Sequence, residues 1–292
     1  MSAEPQAGDG RVTVPALLAR KASPASLAEP RLVCLTAYDF PTARLLDAAG
    51  VDILLVGDSV GMTVLGYSTT LPVTMAQMLH HTQAVARAAQ RALVVADLPY
   101  GSYHVSVAQG VRNALRLVQR GGAAAVKLEG GTERAELVSR LVEAEIPVMG
   151  HLGLTPQSFH RLGGFRVQGR TAEAAERLLE DARALEAAGA FAIVLESIPR
   201  ELAAAITHQL RIPTIGIGAG PECDGQVLVF HDLVGLNLGH RPKFARCYAD
   251  LAGEISLAAE RFIADVRRGD FPSEAESYHW PANQPIGQHQ SG

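Results

Sequence analysis

Short apolar runs alternate along most of the chain with longer stretches in which apolar residues recur at helical spacing. Strands of a parallel sheet are buried on both faces, so they are near-continuous apolar runs, and helical crossovers connect them. Eight such runs predict strands over residues 32–35, 53–56, 93–96, 125–128, 148–151, 192–195, 214–217 and 227–229. Helical spacing predicts helices over residues 41–49, 75–90, 107–120, 132–143, 171–188, 200–210 and 249–267.

This alternation predicts an α/β fold, a (β/α)8 TIM barrel, because parallel strands need covered faces and right-handed crossovers. A doubly wound open sheet is the main alternative. It usually has a glycine-rich turn after its first strand, and residues 36–39 contain no glycine. Because no linker interrupts the pattern, we predict a single barrel domain over residues 12–268, a disordered arm over 1–11 and a partly ordered tail over 269–292.

Composition narrows the class of protein. The chain has 292 residues, 48% of them hydrophobic, with a net charge of −4 and no basic stripe, which argues against a nucleic-acid or anionic-membrane partner. No apolar run approaches the roughly 20 residues of a membrane helix, and the first ten residues lack the features of a signal peptide. The three cysteines have no metal-ligand spacing and favour a reducing compartment. We therefore expect a cytoplasmic protein.

Four acidic residues follow apolar runs directly or nearly so: Asp58, Asp97, Glu129 and Glu196. In a barrel, the carboxyl ends of the strands face one shared pocket. Carboxylates that are brought together away from water require a compensating cation. Because oxygen ligands suit a hard ion, Asp58, Asp97 and Glu129 predict a site for Mg2+. Each acid could instead cap a helix or lie in a loop.

Three side chains outside the predicted metal set are candidates for the same pocket. Lys127 shares a strand face with Glu129 and is a candidate ligand for a substrate carboxylate, although a structural ion pair with Glu129 is the alternative. His151 ends the fifth strand and either contacts a substrate oxygen or is a core histidine. Glu196 follows the sixth strand, apart from the metal set, and is a candidate general base or a helix cap.

Two glycine-punctuated segments also follow strands. Residues 216–220 resemble a backbone cradle for an anion, but their small side chains also allow loops to pack closely. Residues 61–74 form a long segment after the second strand, which is typical of a lid or a binding loop.

Eight sequence motifs, in order, resemble the ketopantoate hydroxymethyltransferase family. They occupy residues 56–62, 71–74, 97–100, 126–131, 150–157, 163–170, 215–220 and 223–226. The match runs from about residue 12 to residue 265. Tyr100 stands where the family typically has Phe, and Val60 where Leu is common. Both keep an apolar side chain near the pocket.

The resemblance implies a barrel of the phosphoenolpyruvate/pyruvate type, assembled as a homodecamer from two pentameric rings. It implies transfer of a hydroxymethyl group from 5,10-methylenetetrahydrofolate to 3-methyl-2-oxobutanoate, which gives 2-dehydropantoate (ketopantoate) for pantothenate and coenzyme A synthesis through a Mg2+-stabilised enolate. The matching positions imply Mg2+ ligands, substrate contacts and a catalytic base. The ligands are Asp58, Asp97 and Glu129, the substrate-binding residues are Asp58, Ser59, Asp97, Lys127 and His151, and the base is Glu196.

Three other functions fit parts of the pattern. A C–C lyase of the isocitrate lyase type would need a mobile loop with a cysteine and flanking basic residues, and no cysteine of this chain sits in such a segment. A phosphoenolpyruvate mutase would need arginine clusters for phosphate, which are not evident after the strands. A non-catalytic, ring-forming scaffold would have lost its metal carboxylates, whereas Asp58, Asp97 and Glu129 are all present.

Overall fold

The computed structural model describes residues 10–22, 31–237, 239 and 242–281. Most of the predicted arm over 1–11, and the end of the predicted tail over 269–292, lie outside the described residues. Eight parallel strands close into a barrel in sequence order, so the predicted fold class is confirmed. The strands are β1 Leu32–Thr36, β2 Ile53–Val56, β3 Leu93–Asp97, β4 Ala125–Glu129, β5 Val148–Gly153, β6 Ala192–Glu196, β7 Thr214–Ile217 and β8 Gly225–Leu228.

Three of the acidic residues predicted to follow strands are in fact the last residues of strands. Asp97, Glu129 and Glu196 end β3, β4 and β6, because the backbone pairing continues through them. Asp97 pairs with Lys127 of β4, and Glu129 pairs with His151 of β5. These side chains therefore sit on the rigid barrel wall and not on loops.

The described residues contain eleven α-helices, several of which pack against the outside of the barrel. They are α1 Val14–Ala22, α2 Phe40–Ala48, α3 Val60–Thr63, α4 Met75–Ala88, α5 Val107–Gln119, α6 Ala135–Glu143, α7 Phe159–Leu162, α8 Ala172–Ala187, α9 Arg200–Gln209, α10 Phe230–Leu233 and α11 Leu251–Arg268. Side-chain caps fix several starts: Thr74 and Gln77 form a capping box on α4, and Ser106 and Thr171 cap α5 and α8. Within the described residues, no helix could cross a membrane.

Helix α1 was not predicted from the sequence. It packs its buried Leu17 into the apolar cluster inside the barrel, beside Leu32 and Ile53 at the start of β1 and β2. Lys21 pairs with Asp224 at 2.9 Å and fixes the end of the helix. Because barrel active sites lie at the opposite end, α1 serves to close the core.

The interior of the barrel follows the period of two that β-strands impose on side-chain direction. In β3, Leu93 and Val95 join the interior cluster, and Asp97 is the next residue on that face. The other strands follow the same order on their inner faces, with apolar residues first and polar residues nearer the carboxyl end. The inward residues are Ala125, Lys127 and Glu129 in β4, Met149 and His151 in β5, and Ala192, Val194 and Glu196 in β6. The apolar residues fill the barrel up to its carboxyl end, where the polar residues take over. The register of the strands thus determines where these polar side chains lie.

Candidate active site

A buried polar cluster occupies the carboxyl end of the barrel. Its members come from β3, β4, β5, β6 and the turn after β2. Asp58, Asp97, Lys127, Glu129 and His151 are all 5% exposed or less, and the Glu196 side chain is 15% exposed. The structure thus brings the residues predicted from the sequence into one place, with Glu196 nearest to solvent.

The backbone of Asp58 contacts the side chain of Asp97. The Asp58 amide donates a hydrogen bond of 3.0 Å to Oδ2 of Asp97. Gly57 makes this approach possible, since a Cβ at that position would lie 2.7 Å from Oγ of Ser59 and 3.6 Å from Oδ2 of Asp97. Ser59 in turn is 2.8 Å from the hydroxyl of Tyr38, which was not predicted as a site residue.

Lys127 is the cation of the cluster among the described residues. Its Nζ lies 3.1 Å from Oδ1 of Asp97 and 3.3 Å from Nδ1 of His151. Burial lowers the pKa of Lys127, but the nearby carboxylates of Asp97, Glu129 and Asp58 outweigh it, so the pKa is raised and the ammonium stays charged. The ion pair expected as an alternative with Glu129 is formed with Asp97 instead, because the register of β3 and β4 sets these two residues opposite each other.

Gln157 connects two of the acids and was missed from the sequence as a site residue. Its Nε2 donates to Oδ2 of Asp58 at 2.8 Å, and its backbone amide donates to Oε2 of Glu129 at 3.0 Å. Its Oε1 accepts from the hydroxyl of Tyr103 at 2.7 Å. The available signal was its place at the end of the motif over residues 150–157. Gln157 orients both carboxylates from the loop after β5.

The carboxylates of this cluster repel one another when they are charged. Burial and then the neighbouring Asp97 raise the pKa of Asp58 to about 7. Burial and then Asp58 raise the pKa of Glu129 well above its usual range. A single ammonium, that of Lys127, faces these acids. A bound cation would relieve the remaining repulsion.

His151 lies between the two ends of the cluster. Its Nδ1 is 3.3 Å from Nζ of Lys127, and its Nε2 is 3.2 Å from Oε2 of Glu196. Burial and then the Lys127 charge lower the pKa of His151, so the imidazole is neutral at neutral pH. Since an ammonium can only donate, we assign Nδ1 as the acceptor and Nε2 as the N–H that faces Glu196.

The donor set fits a hard divalent ion. It consists of carboxylate oxygens, and Oδ1 of Asp97 is buried without an aligned hydrogen bond although Lys127 is near. Within the described ranges, no three or more His, Cys, Asp or Glu side chains are arranged as a metal site. Mg2+ is commonly held by only one or two carboxylates, with water and substrate oxygens as the other ligands. A complete cage of protein ligands is therefore not required.

The two glycine-punctuated segments pack against the body of the barrel. Gly218 and Gly220 have positive φ, and an added Cβ would lie 2.6 Å from the Phe244 ring and 2.5 Å from Cβ of Arg200. Close loop packing thus accounts for both glycines. The segment over residues 61–74 follows the start of α3 and contains the buried Val73. Its role as a lid or binding loop stays a prediction.

Comparison with known proteins identifies the family. The model of the ketopantoate hydroxymethyltransferase family matches residues 11–274. A 3-methyl-2-oxobutanoate hydroxymethyltransferase of Koribacter versatilis is 58% identical over 86% of this chain and 85% of its own length. The enzyme of the same name from Pelobacter propionicus is 54% identical over 92% of this chain and 98% of its own.

Solved structures agree on the fold. A 2,3-dimethylmalate lyase, a member of the PEP mutase/isocitrate lyase superfamily, has a TM-score of 0.57 at 18% identity and covers 91% of this chain and 88% of its own. A phosphonopyruvate hydrolase in complex with oxalate and Mg++ has a TM-score of 0.54 at 14% identity, covering 90% and 92%. These likenesses confirm the (β/α)8 barrel fold. By the extent of the sequence match, the chain belongs to the ketopantoate hydroxymethyltransferase family.

Proposed function

We propose that this chain is a 3-methyl-2-oxobutanoate hydroxymethyltransferase. It transfers a hydroxymethyl group from 5,10-methylenetetrahydrofolate to 3-methyl-2-oxobutanoate and forms 2-dehydropantoate, for pantothenate and coenzyme A synthesis. The observation that carries the proposal is the placement of Glu196 beside a buried carboxylate cluster, in a chain that is 58% and 54% identical to two relatives of that name over 86% and 92% of its length. The arrangement supplies a base next to a site for an α-keto acid.

The metal of this site would be Mg2+, and the residues that would hold it are Asp58, Asp97 and Glu129. The raised pKa values of Asp58 and Glu129 support this, because burial and mutual repulsion leave these acids in need of a cation. The Mg2+ complex of the structurally similar phosphonopyruvate hydrolase is consistent with the choice. Bound Mg2+ supplies a Lewis acid that polarises the keto group and stabilises the negative charge left when the C3 proton is removed.

The side chains around the metal ligands bind the keto acid. Lys127 is buried and charged, so its ammonium attracts the substrate carboxylate. Ser59 offers a hydroxyl that Tyr38 already orients at 2.8 Å. His151 and Asp58 complete the predicted substrate-binding set. Each group is fixed by contacts within the protein, so little reorganisation accompanies binding.

Glu196 removes the C3 proton. Its carboxylate lies 3.2 Å from Nε2 of His151, a contact that is not aligned as a hydrogen bond. The lowered pKa makes the His151 imidazole a weak base, and in the assigned tautomer the Nε2 that faces Glu196 already carries a proton. Glu196, and not His151, therefore takes the C3 proton. Being the most exposed of the six cluster residues, Glu196 can pass the proton on to solvent. The carbanionic C3 then forms a C–C bond to the one-carbon unit of the folate. Both C–N bonds to that carbon break, water supplies the hydroxyl group, and tetrahydrofolate leaves.

The lyase alternative finds no support in the structure. Cys34 lies in the barrel interior and Cys223 is buried, while Cys247 is partly buried. Cys34 is therefore part of a strand, and the sulfur of Cys247 donates to the carbonyl of Ala249 at 2.9 Å.

We infer that the protein is a single catalytic domain over residues 12–268 that works in the cytoplasm as a homo-oligomer, in line with the decamer expected for the family. The three free cysteines support a reducing compartment. Self-association is supported by α11, which has no buried residue and exposes Ile255, Phe262 and Val266. Light scattering at several protein concentrations tests the oligomeric state.

One assay tests the reaction. The protein is incubated with 3-methyl-2-oxobutanoate, 5,10-methylenetetrahydrofolate and Mg2+, and the product is read by mass. We expect 2-dehydropantoate with Mg2+, and none after chelation of the metal. Absence of this product in the presence of all three would reject the proposal.

A further inference from the structure

Gln157 holds two of the three predicted metal ligands at the same time. It lies in the one-turn 3-10 helix Pro156–Ser158 after β5 and is 5% exposed. Its side-chain Nε2 donates to Oδ2 of Asp58 at 2.8 Å, and its backbone amide donates to Oε2 of Glu129 at 3.0 Å. Because both donors belong to one buried residue, they fix the two carboxylates relative to each other.

Tyr103 determines which way the Gln157 amide points. The buried Tyr103 hydroxyl donates to Oε1 of Gln157 at 2.7 Å and accepts from the backbone amide of Glu129 at 3.2 Å. Nε2 of Gln157 also donates to the carbonyl of Leu98 at 3.0 Å. A flipped amide would set its oxygen against the Asp58 carboxylate and the Leu98 carbonyl, neither of which carries a proton to donate. Tyr103 and Gln157 therefore form one rigid unit, the amide bracket.

Each predicted metal ligand has one oxygen that accepts from an N–H group and one that does not. Gln157 occupies Oδ2 of Asp58 and Oε2 of Glu129. The backbone amide of Asp58 occupies Oδ2 of Asp97 at 3.0 Å. The second oxygens are Oδ1 of Asp58, Oε1 of Glu129 and Oδ1 of Asp97, and none of them accepts an aligned hydrogen bond from a described residue. Each carboxylate thus has one oxygen left for a cation.

This division of the oxygens affects which divalent cation the site favours. Mg2+ requires near-ideal octahedral geometry and keeps several waters, whereas Ca2+ takes about six to eight oxygens and often binds both oxygens of a carboxylate. To bind Ca2+ with both oxygens, Asp58 or Glu129 would have to give up its hydrogen bond from Gln157. A buried N–H without an acceptor is costly, so the hydrogen bonds disfavour the ligand geometry of Ca2+ and leave that of Mg2+ unaffected.

We propose that the amide bracket makes this site selective for Mg2+ over Ca2+. Gln157 leaves Asp58 and Glu129 one oxygen each for the cation, and Tyr103 keeps the Gln157 amide in the orientation that does so. Both are positioning residues, which act through the predicted ligands. This inference rests on the proposed function, because it concerns the metal site of that reaction.

Calorimetry without turnover tests the inference. Mg2+ and Ca2+ are titrated separately into the intact protein, with 3-methyl-2-oxobutanoate present and folate absent. The readout is the Ca2+ dissociation constant divided by the Mg2+ dissociation constant. We expect Gln157→Met to lower this ratio by about tenfold, which is about 1.4 kcal/mol, because a thioether of similar length cannot donate to Asp58. Tyr103→Phe should lower the ratio by a smaller factor, since the amide stays but is no longer held.

Gln83→Met is the matched control. Gln83 lies on α4 and its Nε2 donates at 3.0 Å to the carbonyl of Arg120, which follows α5 and leads to the amino end of β4. The control therefore removes the same amide at the end of the barrel opposite the carboxylates, and it should keep the wild-type ratio. A thermal melt checks that each variant is folded. Tyr103→Phe, which removes one oxygen atom and keeps the ring, decides the matter if Gln157→Met does not fold.

The ratio separates selectivity from a merely structural role. Loss of structure around Gln157 would weaken both ions alike, so a ratio that is unchanged or raised in the folded variants overturns the inference. The proposed function fails in a different way: wild-type protein that binds no Mg2+ and forms no 2-dehydropantoate contradicts that function. Wild-type protein that binds Mg2+ and forms the product, while the variants keep its ratio, contradicts the role of the amide bracket alone.

Discussion

Nε2 of His151 lies 3.2 Å from Oε2 of Glu196 across two adjacent strands, β5 and β6. Glu196 is opposite Gly153 in the ladder, so the two side chains are diagonal neighbours on the inner face. The imidazole is thereby close to the member of the cluster that has most contact with solvent, although the contact is not aligned as a hydrogen bond. Glu196 ends a strand of the barrel wall, so it needs no loop closure to reach the cluster.

Replacing the base should stop proton removal without emptying the site. We expect Glu196→Gln to lower the rate of C3 deuterium exchange by about a hundredfold or more, because an amide of the same shape cannot accept the proton. Proton NMR in deuterated water measures the rate, and calorimetry checks that the keto acid and Mg2+ still bind. Glu201→Gln, an exposed change on α9, is the control. Wild-type exchange in Glu196→Gln would remove this residue from the role.

Removing Asp97 should weaken metal binding. Asp97 is buried, accepts from the Asp58 amide at 3.0 Å and faces Lys127 at 3.1 Å. We expect Asp97→Ala to lose most activity at ordinary Mg2+ and to recover part of it at high Mg2+. Titration calorimetry with Mg2+ measures the affinity, and Glu180→Ala, an exposed change on α8, should leave it unchanged. An unaltered Mg2+ affinity in Asp97→Ala would assign this carboxylate to another task.

Asp47 should stabilise the fold in a pH-dependent way. It is buried and accepts from the backbone amides of Gln90, Arg91 and Ala92 at 3.0, 3.0 and 2.7 Å. We expect Asp47→Ala to lower the free energy of unfolding by about 2–3 kcal/mol at pH 7, because buried amides lose their acceptor. Urea denaturation measures this loss. A difference below 0.5 kcal/mol, the usual scale of a neutral surface change, would contradict it.

The sign of the pH effect follows from the direction of the shift. Burial raises the pKa of Asp47, but the three amides outweigh it, so the pKa is lowered from 3.8. The folded state then favours the charged form, and this stabilisation is full above the ordinary aspartate range and lost as pH falls through the lowered pKa. We expect the stability gap between wild type and Asp47→Asn to narrow below about pH 4. A gap that widens on acidification would reverse the assignment.

The unpredicted helix α1 should contribute to stability through one side chain. Leu17 is 1% exposed and fills the amino end of the barrel. We expect Leu17→Ala to reduce the free energy of unfolding by about 2–5 kcal/mol, through lost burial and a new cavity. Leu45→Ala is the matched control, since Leu45 is 71% exposed on α2. Equal urea midpoints for the two variants would show that α1 does not close the core.

The strands and most of the site could be predicted because apolar runs define parallel strands and polar residues at their ends share one pocket. Asp97, Glu129 and Glu196 were found in this way. Gln157 and Tyr38 were not, because their contacts depend on how loops and neighbouring strands meet in space. The same limit applies to α1, whose nine residues have a buried face only because the barrel end exists to receive it.

The pairing of Lys127 shows a second limit. Spacing along β4 places it on the same face as Glu129, but proximity across strands decides its partner, and the ladder sets it opposite Asp97. Inter-strand register depends on the whole barrel and is not encoded in any single segment.

The alternation of side chains in β4 determines which of its residues face the polar cluster and which face the helices. Insertion of one residue between Ala125 and Lys127 would turn the ammonium and the Glu129 carboxylate toward the helices, and would turn aliphatic side chains into the reaction chamber. The barrel wall therefore tolerates no insertion or deletion there. We accordingly expect insertions and deletions in the segments beyond the strand ends, where they leave the buried acids in place.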